Sequence, residues 1–211
     1  MGPYRGYGEL LTHVRALASR GYRLRVIGHS VRKEPLFALV RGAEPHGTLA
    51  RTAVVLAGVH PNEWIGVETA LRLAEQALTS DLGERSLVFV PVVNPDGLWR
   101  VERNLRAGRH RFVRHNARGV DLNRNFATAW GKTGLVQRLL GRVFSPGSRP
   151  ESEPEVLAIA HFLARCRVDR AVSLHSFGAA VLYPSAYTTA PIADADEHRR
   201  WAERIAAAAA R

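Results

Sequence analysis

The stretch TAVVLAGV, Thr52–Val59, is a continuous apolar run rich in β-branched residues, as expected of a strand that is buried on both faces. A second such run, SLVFVPVV, covers Ser86–Val93, and Pro91 within it predicts that the strand bends or ends early. Helical spacing of apolar residues over Gly66–Ala77 lies between them, and RAVSLH at Arg170–His175 predicts a third strand. Strands that alternate with helices indicate an α/β fold, here three α/β/α layers with a mostly parallel, mixed central sheet.

Shorter patterns extend this prediction toward both ends of the chain. In chain order they predict a helix over Tyr7–Ser19, strands over Arg23–Gly28 and Leu36–Arg41 that pair as a hairpin, a helix from Glu151 to Cys166 capped by Ser152, a short strand over Ala180–Tyr183 and a helix over Asp194–Ala210. The arginine-rich stretch from Asn94 to about Gly147 is predicted to be one long functional loop that opens with a turn at Asn94–Gly97.

The composition is that of an ordinary globular protein, with 46% hydrophobic and 23% charged residues in a chain of 211. Its length predicts a single domain over residues 1–211. No apolar run reaches the roughly 20 residues that a membrane-spanning helix requires, and no export signal is visible. We therefore expect no membrane partner and a cytoplasmic location. Cys166 is the single cysteine, so an internal disulfide is excluded.

The formal net charge of +11 raises the question of nucleic-acid binding. The positive charge is almost all arginine, since lysine occurs only at Lys33 and Lys132. Arginines are concentrated between Arg100 and Arg124, without an aromatic-interleaved RNA-binding motif, a zinc finger or a helix-turn-helix pattern. An arginine-biased surface is the better interpretation, and no nucleic-acid partner is expected. The concentration of arginines also suggests a preference for acidic peptides.

Chemically capable side chains follow the three predicted central strands. His60 comes directly after the first strand, Asn94 follows the second and His175 ends the third. In open α/β sheets, ligands bind outside the carboxyl ends of the strands, so these side chains are expected along one sheet edge. His60 and Glu63 form an H-x-x-E pair, and imidazole nitrogen and carboxylate oxygen are common zinc ligands. His175 would complete a three-ligand site with an open position for water.

The H-x-x-E pair alone is weak evidence for a metal. With 9 histidines and 19 acidic residues in the chain, roughly one such pair is expected by chance. His60 could equally be a surface loop residue, and His175 could be a core histidine paired with the backbone. Other segments decide between these interpretations.

Five segments occur in an order that resembles the zinc carboxypeptidase family. They are GVHPNEWIGVETALRL, NPDGLWR, NARGVDLNRNF, SPGSRPESEPE and LHSFGAAVLYP. The short spacing between Arg114 and Asp121 also resembles the murein-peptide amidases of that family. The resemblance implies that His60, Glu63 and His175 hold one zinc ion.

The same resemblance implies that Asn123 and Arg124 bind the C-terminal carboxylate of a peptide. It further implies that Arg114 polarises the scissile carbonyl and stabilises the oxyanion. The family pattern around this arginine is commonly W-R-K-N, whereas this chain reads V-R-H-N at Val113–Asn116. The expected reaction is hydrolysis of a C-terminal peptide bond through a zinc-activated water.

The general base of this reaction is not visible in the sequence. In the family it is a glutamate on a late strand, several tens of residues after the third zinc ligand. Glu197 and Glu203 follow His175 but match no catalytic motif. The chain is therefore expected to be a C-terminally shortened version of a longer domain, or else a naturally defective relative. Alternative functions are a zinc amidohydrolase acting on N-acyl amino acids or murein peptides, and a module that binds zinc and peptide without turnover.

Overall fold

The computed structural model describes residues 4–46, 50–132, 140–141, 143–184 and 192–209. Its helices and strands, in chain order, are α1 Tyr7–Ser19, β1 Arg23–His29, β2 Pro35–Gly42, β3 Arg51–Leu56, α2 Trp64–Ala77, β4 Ser86–Val90, α3 Pro95–Arg106, a 3₁₀ turn at Leu122–Arg124, α4 Pro154–Ala164, β5 Arg167–Ser173 and α5 Ala195–Ala209. Tertiary contacts divide the chain into a larger unit that ends at His175 and a smaller unit that begins at Ser176 and contains α5.

The five strands form one mixed sheet in the order β1-β2-β4-β3-β5. β2 pairs antiparallel with both β1 and β4, whereas β3 pairs parallel with β4 and β5. The predicted hairpin of the first two strands is therefore confirmed. Because β3, β4 and β5 run in one direction, their carboxyl ends lie at the same edge of the sheet, as the sequence predicts.

Side chains that alternate along the strands divide the core of the larger unit between the two sheet faces. Leu39 and Phe89 are register partners on one face, and Val40 and Val88 are partners on the other. The first face packs against α1, α2 and α3, and the second packs against α4. The arrangement confirms the three-layer α/β/α prediction.

Glycine allows the closest approach of a helix to the sheet. A Cβ built on Gly28 of β1 would lie 2.4 Å from the Cβ of Ala158 on α4. Real Cβ atoms do not approach this closely, so any larger residue at position 28 would push the strand and helix apart.

The structure corrects the prediction of one long loop from Asn94 to Gly147. Residues Pro95–Arg106 form α3, and Asn94–Gly97 is the cap and first turn of that helix rather than an isolated turn. The Asn94 side chain accepts a hydrogen bond from the Gly97 backbone N–H at 3.0 Å, and Pro95 occupies the first helical turn. Both are recognised signals for the start of a helix.

Two smaller predictions are also wrong. Residues 180–183 form no strand. Ser152 is not the cap of α4, because that helix begins at Pro154 with Glu153 as its N-cap. The Ser152 hydroxyl instead accepts a hydrogen bond from Asn125 and donates one to the Glu153 carboxylate, each at 2.9 Å. Among the described helices, none is both long enough and apolar enough to span a membrane.

Candidate metal centre

The backbone beyond β3 and β4 holds the loop that carries His60. Gly58 has a φ of +64°, a left-handed conformation that L side chains rarely adopt, and it turns the chain out of β3. The Asn94 N–H donates to the Gly58 carbonyl at 2.9 Å, and the Asn94 side chain donates to the Val59 carbonyl at 3.3 Å. Asn94 therefore supports the loop and caps α3.

A second close approach brings Glu63 to His175. Glu63 immediately precedes α2, and Gly66 lies in the first turn of that helix. A Cβ built on Gly66 would lie 3.1 Å from the carbonyl oxygen of Leu174, the residue before His175. The absence of a side chain at position 66 lets the start of α2 pack directly against the end of β5.

His60, Glu63 and His175 converge at this edge, with one ligand atom from each lying within 4.8 Å of the others. The Nδ1 of His175 lies 2.8 Å from Glu63 Oε2 and 3.1 Å from the Nδ1 of His60. The Nδ1 of His60 lies 2.9 Å from Glu63 Oε1. Of these residues His60 and Glu63 are buried, whereas His175 is exposed, so the cluster opens toward solvent on one side.

The donor atoms of this cluster suit a metal cation between them. The Nε2 of His60 lies 3.0 Å from Asp121 Oδ1, so this nitrogen donates its hydrogen to the buried carboxylate. In a neutral His60 ring the Nδ1 then presents a lone pair toward Glu63 and His175. The Nδ1 of His60 and the Glu63 carboxylate are then both acceptors, so a hydrogen on the Nδ1 of His175 or a metal ion between the three groups stabilises the arrangement. Tetrahedral zinc with bonds of about 2.0–2.1 Å separates its ligand atoms by about 3.3 Å. The observed spacings are therefore close to those that zinc needs.

The close contacts among these side chains shift the pKa values of Glu63 and His60 in the metal-free cluster. Burial raises the pKa of Glu63, but hydrogen bonds from His175 and His60 outweigh it and lower the pKa from 4.5 to about 2. Burial lowers the pKa of His60, but hydrogen bonds to Asp121 and Glu63 outweigh it and raise the pKa above its ordinary value. Without a metal, a proton on His60 relieves part of the repulsion. Glu63 remains ionised, as a metal ligand must.

Asp121 joins the ligand cluster to Arg114. It is fully buried, and its Oδ2 accepts a hydrogen bond from Arg114 Nε at 2.8 Å while Oδ1 faces His60. Burial raises the pKa of Asp121, but the hydrogen bonds from His60 and Arg114 outweigh it and lower the pKa. Carboxylates that hold the second nitrogen of a ligand histidine are common in zinc sites, because they fix its tautomer and orientation. This residue was missed in the sequence, although it lies inside the motif VDLNRNF.

Asn116 holds the short loop between Arg114 and Asp121. Its side-chain oxygen accepts from the backbone N–H groups of Arg118 and Val120 at 3.0 and 3.1 Å. Its amide nitrogen donates to the buried carboxylates of Glu153 at 2.7 Å and Glu155 at 3.2 Å. The loop is thereby fastened to the start of α4.

Arg124 and Asn123 lie on the 3₁₀ turn that follows Asp121. Asn123 is exposed, and its backbone N–H donates to Asp121 Oδ1 at 3.0 Å. The guanidinium carbons of Arg114 and Arg124 lie 5.3 and 5.9 Å from the centroid of the Phe144 ring, so both arginines flank one aromatic side chain. Arg124 makes no ion pair with any residue in the described ranges. Its Nη1 donates to the Asn123 carbonyl at 3.2 Å, and its other nitrogens have no acceptor in the described ranges, so they are available to an external anion.

A model of the zinc carboxypeptidase family matches residues 7–211. The chain belongs to this family. Among curated relatives, human carboxypeptidase A6 is 34% identical over 180 residues, which cover 79% of this chain and 40% of the relative. Rat carboxypeptidase B2 is 31% identical over 186 residues, which cover 81% of this chain and 44% of the relative.

Solved structures share the fold of this chain. Bovine thrombin-activatable fibrinolysis inhibitor, in complex with a tick carboxypeptidase inhibitor, superposes with a TM-score of 0.80 at 26% identity, covering 95% of this chain and 70% of that one. Carboxypeptidase A from Helicoverpa armigera has a TM-score of 0.77 at 23% identity, covering 96% of this chain and 53% of that one, which shows the shared fold.

This member of the zinc carboxypeptidase family spans 40–44% of the length of the curated relatives quoted above. Family membership makes zinc the metal to expect, and the described residues offer a ligand set of two histidines and one glutamate that suits it. The chain therefore combines a family assignment with a site whose geometry and donor chemistry agree with it.

Proposed function

We propose that this chain supplies the metal centre and the carboxylate-binding side of a carboxypeptidase that cleaves the C-terminal peptide bond of peptides. One observation carries the proposal: the cluster of His60, Glu63 and His175 is joined through Asp121 to Arg114, and Phe144 links Arg114 to Arg124. Metal ligands and two arginines thus belong to one connected arrangement. Such an arrangement suits a substrate that ends in a carboxylate next to a scissile carbonyl.

A bound zinc ion would supply Lewis acidity toward the scissile carbonyl and a water of lowered pKa. Arg114 would donate hydrogen bonds to the carbonyl oxygen as negative charge develops on it. Its Nε is held by Asp121, while its terminal nitrogens make no hydrogen bond to the described residues. The contact with Asp121 fixes the direction of the guanidinium, so little reorganisation is needed when the substrate binds.

Arg124 and Asn123 would bind the terminal carboxylate of the substrate. A guanidinium presents two parallel N–H donors that match the two oxygens of a carboxylate, and an amide side chain adds a third donor. The contact with the Phe144 ring restricts the Arg124 side chain and leaves the nitrogens other than Nη1, which donates to the Asn123 carbonyl, for the substrate. The base that takes the proton from water is not assigned. Glu197 and Glu203 lie in α5 of the smaller unit.

Substitution of Arg124 tests the assigned carboxylate contact. We expect Arg124→Ala to lower kcat/KM for a peptide with a free C-terminus by about 100-fold, because one bidentate contact to a charged group contributes about 1.5–3 kcal/mol and its loss leaves the carboxylate unpaired. Hydrolysis of the matching C-terminal ester should change by less than about threefold. The exposed Arg111, from the same basic stretch, provides the control variant Arg111→Ala. Equal losses on acid and ester would remove Arg124 from the carboxylate site.

A further inference from the structure

A second groove lies along α3 and contains none of the metal ligands. Its volume is about 850 Å³, within the range of sites that bind small molecules or short peptide segments. Its walls come from α3, from the start of α1, from the turn between β1 and β2 and from the loop that contains Asn116 and Ala117. The residues that matter here are Arg32, Glu34, Trp99, Arg100 and Arg103. We call it the α3 groove. All of these residues belong to the larger unit.

The acidic groups of the α3 groove are already used by the fold. Asp96 accepts hydrogen bonds from the Ser30 hydroxyl at 2.8 Å and from the Arg32 backbone N–H at 3.0 Å. Glu102 accepts from the Tyr7 backbone N–H at 2.8 Å and from the Arg106 guanidinium at 2.7 Å. Both carboxylates are buried and hold structural contacts, so neither forms an ion pair with the guanidinium group of Arg32, Arg100 or Arg103.

Three arginines of the groove have no acceptor in the described parts of the chain. The guanidinium groups of Arg32, Arg100 and Arg103 make neither an ion pair nor a hydrogen bond there, and all three residues are exposed. Glu34, the remaining acidic residue of the groove, interacts with the Tyr7 hydroxyl. Four arginines and three carboxylates line the groove, so its net charge is +1. The three guanidinium groups without an acceptor in the described residues favour an anionic ligand.

The spacing of these arginines suits carboxylates carried on an extended peptide. Arg100 and Arg103 are three residues apart on α3, so their Cβ atoms are about 5–6 Å apart on one helix face. Alternate side chains of an extended peptide lie on one face about 6.6 Å apart, within reach of both guanidinium groups. Trp99 is 46% exposed beside them and offers an apolar surface to the aliphatic parts of glutamate side chains.

The same features disfavour a single-stranded nucleic acid as the ligand. Such ligands bind grooves in which several aromatic side chains stack on successive bases. The α3 groove offers Trp99, whose ring already packs against Tyr7 with the ring centroids 5.3 Å apart and the planes tilted by 56°. The basic part of the groove is also short, since its arginines lie within two turns of α3 and in the β1–β2 turn.

We propose that the α3 groove binds an acidic peptide segment, whose side-chain carboxylates meet Arg100, Arg103 and Arg32. The proposal stands independently of the proposed peptidase function, because the groove contains neither the metal ligands nor Arg124. It also assigns part of the arginine concentration in the sequence to a place other than the metal centre.

The test measures binding of a fluorescein-labelled peptide of alternating Glu and Ala with an amidated C-terminus. The amide prevents use of the Arg124 carboxylate contact, so failure of the proposed function does not affect the result. Anisotropy is read at about 0.15 M salt, where screening reduces non-specific attraction. The double variant Arg100→Glu/Arg103→Glu is compared with Arg15→Glu/Arg72→Glu, which makes the same charge change at exposed arginines on α1 and α2.

We expect Arg100→Glu/Arg103→Glu to bind the peptide at least about tenfold more weakly than wild type, because charge-assisted contacts are lost. The affinity of the control Arg15→Glu/Arg72→Glu should change by less than about threefold. The milder variant Arg100→Gln/Arg103→Gln should give an intermediate loss, and a Gln–Ala peptide should not bind. Equal losses in both double variants, no binding by wild type, or tighter binding of an oligothymidylate of equal charge would each overturn the proposal.

Discussion

Substitution of Asp121 separates its two contacts, one with His60 and one with Arg114. Asp121→Ala removes both, so the His60 ring loses the acceptor that fixes its tautomer and direction. Loss of such a partner typically weakens metal binding by about 10–100-fold, or about 1.4–2.8 kcal/mol. The variant also leaves Arg114, whose side chain is only 15% exposed, without its counter-charge. Removal of one partner of a buried ion pair costs about 3–5 kcal/mol of folding free energy.

Asp121→Asn has nearly the same shape and should act differently. The oxygen of the new amide would face His60 and the Asn123 backbone N–H, since both are donors to Oδ1. Its NH₂ group would then face Arg114 Nε, where two donors oppose each other. We therefore expect zinc affinity to fall by less than about tenfold, while turnover falls strongly because Arg114 is no longer held.

Competition with a chromophoric chelator measures the zinc affinity of each variant, and urea unfolding of the zinc-free proteins measures stability. Asp169→Ala is a matched control, since Asp169 is a partly exposed carboxylate that pairs with Arg51. Zinc affinity of Asp121→Ala within about twofold of wild type would refute the idea that Asp121 orients His60.

Two further predictions concern the ligands and their support. Gly66→Ala places a methyl group 3.1 Å from the Leu174 carbonyl oxygen. Chelator competition should therefore show a zinc affinity about threefold to tenfold lower than that of wild type. Gly8→Ala is the control, because its methyl group would meet nothing within 4 Å, and it should leave the zinc affinity unchanged. In the zinc-free protein the pKa of Glu63 is lowered from 4.5 to about 2, so its stabilisation is complete above about pH 4.5 and is lost as the pH falls toward about 2. Urea unfolding should show that the free energy of unfolding falls less steeply with pH in Glu63→Gln than in wild type, with a difference of up to about 3 kcal/mol across this range. The same pH dependence in both proteins would contradict the contacts of Glu63 with the histidines.

The parts of the fold that the sequence predicted well are those buried on both faces. β3 and β4 are continuous apolar runs, and their burial leaves little alternative to a central strand. Pro91 ends β4 at Val90, as predicted, because proline cannot donate to the ladder. The convergence of His60 and His175 followed from the topological rule for parallel strands, without knowledge of any contact.

The parts that were missed depend on contacts that are remote in the sequence or on weak patterns. α3 is rich in arginine and has few buried apolar residues, among them Leu98 and Val101, so its hydrophobic stripe is narrow. Its start was nevertheless encoded by Asn94 followed by Pro95. The role of Asp121 rests on a contact across 61 positions of the chain, which no local pattern reveals.

The ligands of the metal centre come from very unequal distances along the chain, and this has a consequence for how the protein acquires zinc. His60 and Glu63 are three positions apart and meet within one short loop, whereas the contact of His175 with His60 spans 115 positions. Closing so long a loop is entropically costly, and such non-local contacts form late in folding. Before β5 pairs with β3 during refolding, His60 and Glu63 can bind zinc only weakly, as two ligands. High zinc affinity arises when that pairing brings His175 to them. Zinc uptake would thus report on completion of the parallel half of the sheet.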